Sequence, residues 1–411
     1  MKLDAIPSYL SKHANYPKLI SAPVDSALSM VIVIPCYNEP AILKTLESLS
    51  DCKSLETKIE VLVVVNQGED VDAAVQAQNQ QSLNEMDSWS NKSKVFDLYP
   101  IFIENVPTKK AGVGYARKTG MDEAVRRLEQ STSSQKIILC LDADSLVKNN
   151  YLEAVYDFFL EHLKCPAASI NYAHPLNNED PKVNQSILEY ELHLRYYVLA
   201  QRWAGLDYAH QTVGSSMAVT AHAYVAQGGM NTRKAGEDFY FIHKFTHYPE
   251  FGNISNTTVI PSARISDRVP FGTGRAMQSL MNSNEPLSTY APQSFAAIAK
   301  LIQQLPKLYE GNEEIKSSEP MSFFLGNHNY KKKMEELRNN TADYSAFKKR
   351  FFRWFDAFLC MKFLHFSRDQ FHPNIPIAEA AQWLNQIYFR GDKTLGELEL
   401  LSKFRAESKA Y

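Results

Sequence analysis

An α/β fold, with a mostly parallel sheet sandwiched by helices and followed by a mostly helical C-terminal region, is what this sequence predicts, on three observations. Apolar, β-prone runs alternate with amphipathic stretches through the first 150 residues. Polar clusters follow three of those runs, at the positions where strands would leave a sheet. Beyond residue 280 the strand signals vanish and helical spacing takes over.

Residues 30–35 (Met-Val-Ile-Val-Ile-Pro) read as a buried parallel strand, because a parallel strand covered on both faces is apolar throughout rather than alternating. Ile42, Leu43, Leu46 and Leu49 then recur at helical spacing, with Pro40 near the start and Asn38 as the expected cap. Residues 59–65 are the second strand, and the polar segment 66–93 holds a Gln/Asn-rich helix. Residues 99–106 form a shorter third strand, 112–128 a helix, and 136–141 the fourth strand. Strand, helix, strand repeated in this way implies right-handed parallel crossovers. A long amphipathic helix is expected over 183–204, and its Glu189, Glu191, Arg195 and Arg202 favour packing on protein over lying in a bilayer. Helices are expected over 293–308 and again over 344–366, the latter unusually aromatic and opened by Lys348, Lys349 and Arg350. Such a helix could sit on an anionic membrane surface, but Asp356 and Cys360 among its apolar positions favour a core seam. The expected organisation is an N-terminal extension (1–29), a catalytic domain (30–280, with halves 30–150 and 151–280) and a helical C-terminal region (281–411).

The chain has 411 residues, 45% hydrophobic and 22% charged, enough for a large core. Its 44 Lys+Arg against 46 Asp+Glu leave a net charge of −2, so no global basic field favours nucleic acid. The five cysteines lack C-x-x-C spacing and point to a reducing compartment. No window approaches 18 uncharged apolar residues, so the expectation is a cytoplasmic protein, at most peripheral at the inner face of a membrane.

The most informative stretch is 136–144, an apolar run that ends on Asp142 and Asp144. Side chains at i and i+2 of a strand point the same way, so the two carboxylates can face one ligand, a divalent cation carrying a diphosphate. Two further clusters, Cys36-Tyr37-Asn38-Glu39 and Asn66-Gln67-Gly68-Glu69, fall at the ends of the first and second strands, where ligands of such sheets bind. No Gly-x-Gly-x-x-Gly follows the first strand and no P-loop lysine is present, which argues against dinucleotide-binding and P-loop domains.

Four motifs in order, the strand ending in Pro35-Cys36-Tyr37-Asn38-Glu39, the helix opening at Gly112 with Arg117 and Gly120, the Asp142-Ala143-Asp144 turn, and Gly236-Glu237-Asp238, resemble the GT-A fold glycosyltransferases of family 2 over about residues 30–275. The resemblance implies a nucleotide-diphospho-sugar donor, a divalent metal (Mn²⁺ or Mg²⁺), a hydroxyl acceptor and inversion at the anomeric carbon. It implies that Glu39 contacts the nucleoside, Arg117 the diphosphate and Asp142 the ribose. Asp144, with Asp142, would hold the metal, Asp238 would be the base, and Glu237 would orient it. Pro35, Tyr37, Asn66 and Ala143 would complete the donor wall, and His210, Gly214 and Ser215 the acceptor side. The pattern departs from the family at Asn66-Gln67, where an acidic pair is usual; the Asn66 amide can still hydrogen-bond a pyrimidine edge.

Residues 261–275 hold Arg264, Arg268 and Arg275 with two glycines, and read as a loop able to fork onto a diphosphate or cradle an anionic acceptor. Arg268 and Arg275 are the expected donor contacts, with Asp267 as a further metal ligand. His243 and His247 stand four apart without a third ligand, which favours packing over metal. Trp203 could stack on a sugar, though such a tryptophan is more often core. The sequence leaves two alternatives to glycosyl transfer. A nucleotidyltransferase would normally carry a Gly-rich basic loop after the first strand, which is missing. A degenerate sugar-nucleotide-binding scaffold would have no need of Asp142, Asp144 and Asp238 together.

Overall fold

The computed structural model describes residues 5–90, 92–265, 272–283, 285–311 and 318–410. Eight strands, β1 (Leu28–Cys36), β2 (Lys58–Gly68), β3 (Asp97–Val106), β4 (Ile137–Cys140), β5 (Leu146–Val147), β6 (Ala167–Tyr172), β7 (Met217–Thr220) and β8 (Gly252–Ile260), form one sheet. Its order is β3-β2-β1-β4-β7-β6-β8-β5, and the pairs β3/β2, β2/β1, β1/β4 and β6/β8 are parallel. β7 runs antiparallel between β4 and β6, and β5 antiparallel to β8. The mostly parallel sheet read from the sequence is therefore present. β5, β6 and β8 were not foreseen, since two of them are short or polar and their order in the sheet is set by pairing, not by local pattern.

The Val113–Gln130 helix lies against β1 and β2, and Gly120 permits this approach: a Cβ there would fall within 3.0 Å of Val64 Cγ2 and closer still to Val33 Cγ1. That contact places Arg117, one turn earlier, at the carboxyl ends of the strands. The Ala5–His13 helix packs on the same core through Ile6 and Tyr9, and Tyr9 donates its hydroxyl to Asp122 at 2.9 Å.

Residues up to 179, 212–278 and 408–410 cluster as one unit, and 180–211 with 279–407 as a second. The Pro181–Trp203 helix thus belongs to the helical unit rather than to the 151–280 half expected from sequence. In this second unit the buried Glu191 carboxylate accepts from Arg195 Nε at 2.7 Å and from Arg405 Nε and Nη2 at 2.8 and 2.6 Å. The helix expected over 344–366 is broken in two, Tyr344–Trp354 and Ala357–Gln370, because Asp356 caps the second by accepting from Leu359 N at 2.8 Å. Phe347, Phe351, Phe355 and Phe363 are buried, so the aromatic stripe is a core seam. Trp203 packs edge-on against Trp383, with ring centroids 4.9 Å apart. No helix among the described residues is long and apolar enough to cross a membrane. All five cysteines are buried and free.

Candidate active site

β1, β2 and β4 are parallel neighbours, so the segments that follow them emerge side by side. At their ends stand two clusters of charged side chains, one reaching the Glu237–Ile242 helix and one the loop after β8. The centre of the first is Arg117, whose side chain is almost fully buried; Nη2 donates to Asp142 Oδ1 at 2.6 Å and Nη1 pairs with Glu237 Oε1. In the second, Arg264 Nη2 lies 3.1 Å from Asp144 Oδ2, and both its Nη atoms pair with the Glu39 carboxylate, Nη1 at 3.0 Å from Oε1. Asp142 and Asp144 thus stand in the turn after β4, each paired with a different arginine.

Burial alone would favour a neutral Arg117, but Glu237, Asp142 and Asp238 around it hold its pKa above the ordinary range. The carboxyls move the other way. Desolvation pushes Glu237 up to about 7, against the pull of Arg117 and with the help of Asp238. Asp238 is raised as well, chiefly by desolvation, again opposed by Arg117. Both carboxyls beside this guanidinium are raised above the ordinary carboxylate range, which is the direction a proton-accepting group needs.

Gly214 closes this corner. A Cβ on it would stand 2.9 and 3.0 Å from the Arg117 Nη atoms and 3.1 Å from Asp238 Oδ2, so only the bare backbone fits between them. Ser215 beside it is fully buried, and its hydroxyl has no hydrogen-bond partner among the described residues. Asp238 Oδ1 accepts from Phe239 N at 2.7 Å, which fixes the carboxylate in the first turn of its helix. Gly236, at φ 69°, makes the left-handed turn into it.

The donor-side residues are arranged differently from expectation. Glu39 is only 1% exposed and its Oε1 also accepts from Ala41 N at 2.9 Å, so its carboxylate faces protein partners. Asn38, the expected helix cap, adopts φ 50° while its N–H donates to Asn79 Oδ1 at 2.9 Å, and the helix starts from Ala41 without a side-chain cap. Asn79 Nδ2 reaches Gln67 Oε1 at 3.2 Å, wiring the β1 and β2 loops together through the Ala73–Trp89 helix. Asn66 is buried and its amide donates to Gly112 O at 3.4 Å. Pro35 pairs with Val64 inside the sheet, Tyr37 is half-buried, and Ala143 O accepts from Thr45 Oγ1 at 2.9 Å.

Arg275 is exposed in the Thr273–Met281 helix and bonded to Gln278 Oε1 at 2.6 Å. Arg268 and Asp267 lie outside the described residues. His210 belongs to the helical unit, half-buried in the segment after the Pro181–Trp203 helix. His243 is paired with Thr246 Oγ1 at 3.1 Å and held well below the ordinary histidine range, to about 3, by burial, which makes it a packed neutral ring. Arg264 and Asn79 are the residues that reading the sequence did not single out. Arg264 carried a signal, as the first arginine of the 261–275 cluster; Asn79 carried none, because a buried Asn in a polar helix looks like its exposed neighbours.

Five carboxylates, Glu39, Asp142, Asp144, Glu237 and Asp238, meet two guanidiniums in these clusters. Such a surplus of negative charge suits a cation. The Asp142 and Asp144 side chains are 40% and 25% exposed, hard oxygen donors open to solvent. No group of three His, Cys, Asp or Glu side chains able to hold a metal occurs among the described residues. Two carboxylates of this kind are the oxygen donors a hard cation such as Mg²⁺ takes, usually with phosphate and water as its other ligands.

Residues 31–219 match the model of glycosyl transferase family 2. Among solved structures, S. aureus TarS 1-349 in complex with UDP is similar at 15% identity and a TM-score of 0.40, over 67% of this chain and 71% of that one. TarS 1-349 in complex with UDP-GlcNAc is similar at 14% identity and a TM-score of 0.39, over 93% of this chain and 91% of that one. No curated protein sequence matches the chain.

Proposed function

We propose, from the premise that residues 31–219 of this glycosyltransferase belong to family 2, that it moves a sugar from a nucleotide-diphospho-sugar to a hydroxyl acceptor with inversion at the anomeric carbon. The observation that carries this reading is the buried Arg117, which pairs with the donor-side Asp142 through one Nη and with Glu237, beside Asp238, through the other.

Asp238 is the general base. Burial raises its carboxyl above the ordinary aspartate range, and Oδ2 lies on the Gly214 side, placed to take the proton of an acceptor hydroxyl attacking the anomeric carbon. Glu237 holds Arg117, and Arg117 holds Asp142, so the base and the donor end keep a fixed spacing as the bond to the leaving diphosphate breaks. Asp144 and Asp142 would hold a Mn²⁺ or Mg²⁺ ion, which supplies positive charge against the developing diphosphate. The half-exposed Tyr37 forms part of the donor wall.

The test is thermal stabilisation of the full chain by UDP, GDP, ADP and CDP and their sugar conjugates, with Mn²⁺, with Mg²⁺ and with EDTA. A ligand at one hundred times its Kd stabilises the native state by about 2.7 kcal/mol, a readily measured shift. One nucleotide should raise the Tm only when metal is present, and Asp144→Ala should lose that rise. No shift with any nucleotide under any of these conditions overturns the donor-site reading.

Gly214→Ala supplies an independent check. Its Cβ must displace the Arg117 guanidinium or the Asp238 carboxylate by a few tenths of an ångström, and since a ~1 Å misplacement of reacting groups can cost about 100-fold, kcat should fall by roughly 3- to 10-fold. Nucleotide-dependent stabilisation should survive in this variant.

A further inference from the structure

The loop after β8 makes a contact for which glycosyl transfer itself has no use. Arg264 gives both Nη atoms to Glu39 and brings Nη2 to 3.1 Å from Asp144 Oδ2. Glu39 is a firm anchor, because its carboxylate is 1% exposed and removing one partner of a buried ion pair is costly. The Arg264 side chain is 31% exposed, and its fork fits phosphate oxygens as well as carboxylates. A bare dication approaching Asp144 Oδ2 meets a fixed positive charge on the same oxygen. A diphosphate arriving with it brings the negative charge that satisfies both.

Taking the donor site to be as proposed, on which this inference rests, we infer that Arg264 is a positioning residue that neutralises Asp144 in the nucleotide-free protein. The divalent cation then enters the site together with the nucleoside diphosphate and not ahead of it.

The experiment is Mn²⁺ binding to the full chain, followed by the electron paramagnetic resonance of the free ion, first without nucleotide and then with UDP, GDP, ADP or CDP. Removing a unit charge this close to the ion should tighten binding of Mn²⁺ alone by about tenfold or more in Arg264→Gln. Arg264→Lys keeps the charge and should stay near wild type. The double variant Glu39→Gln, Arg264→Gln removes the pair together and should still tighten Mn²⁺ binding more than about twofold, though by less than the single variant, because the deleted cation is the member of the pair that lies 3.1 Å from Asp144. Adding Asp144→Ala should abolish the gain, which locates the ion.

Affinity for Mn²⁺ alone within twofold of wild type in both glutamine variants overturns the inference, whatever nucleotide does. Failure of the wild type to bind any of the four diphosphates with Mn²⁺ is the separate failure of the donor-site reading, and removes the ordered entry with it.

Discussion

Asp238→Asn should reduce transfer by about 10²- to 10⁴-fold, the usual contribution of a positioned general base, while nucleotide-dependent stabilisation stays intact. The amide keeps the size of the carboxyl and its Oδ1 can still accept from Phe239 N. What it loses is the ability to take a proton. The sign of the stability change sharpens the test. Asp238 has a raised pKa in the folded chain, so folding favours its protonated form, and the ionised form costs stability above the ordinary aspartate range. A neutral asparagine should therefore leave the Tm unchanged or raise it at pH 7. The pH profile of kcat/KM belongs to the same expectation. The base works only when deprotonated and Glu237 beside it is pushed up to about 7, so the rate should fall on acidification along a limb well above that of an exposed carboxylate. Full transfer by the asparagine variant would remove Asp238 from its role.

Arg117→Met should be the most damaging single change to both stability and turnover. Breaking a buried pair by removing one partner typically costs about 3–5 kcal/mol, because the other charge is left uncompensated. Here that cost attaches to Glu237, whose side chain is 4% exposed; Asp142, at 40%, is screened by solvent and adds little. Urea unfolding should show the loss, and Arg117→Met, Glu237→Gln should recover most of it, since no buried charge then lacks a partner. Turnover should remain at least about 100-fold down in both, because the spacing between base and donor end is gone. A double variant as unstable as the single would mean that Arg117 acts through packing alone.

The first four strands and their helices were legible because apolar runs and helical periodicity are local signals. The turn at Asp142-Ala143-Asp144 was legible as polar residues where an apolar strand ends, and the Glu237-Asp238 pair as acids opening an apolar helix. Legibility stopped at partnership. Asn38 looked like a helix cap, yet Glu39, one residue on, reaches Ala41 N while Asn38 turns left-handed towards Asn79. Residues 344–366 looked like one helix until Asp356 restarted it. That Asp142 meets Arg117 and Asp144 meets Arg264 carried no local signal.

The sequence by itself determined the parallel αβ half, the helical C-terminal region and the motifs that place acids at strand ends and at a helix start, because burial and periodicity act over a few residues. Only the tertiary structure decided that Arg117 meets Glu237, 120 residues away, and that Arg264 meets Glu39, 225 residues away. Ion pairs inside a protein are chosen by which side chains share one dry corner, and that is a property of how the sheet is ordered.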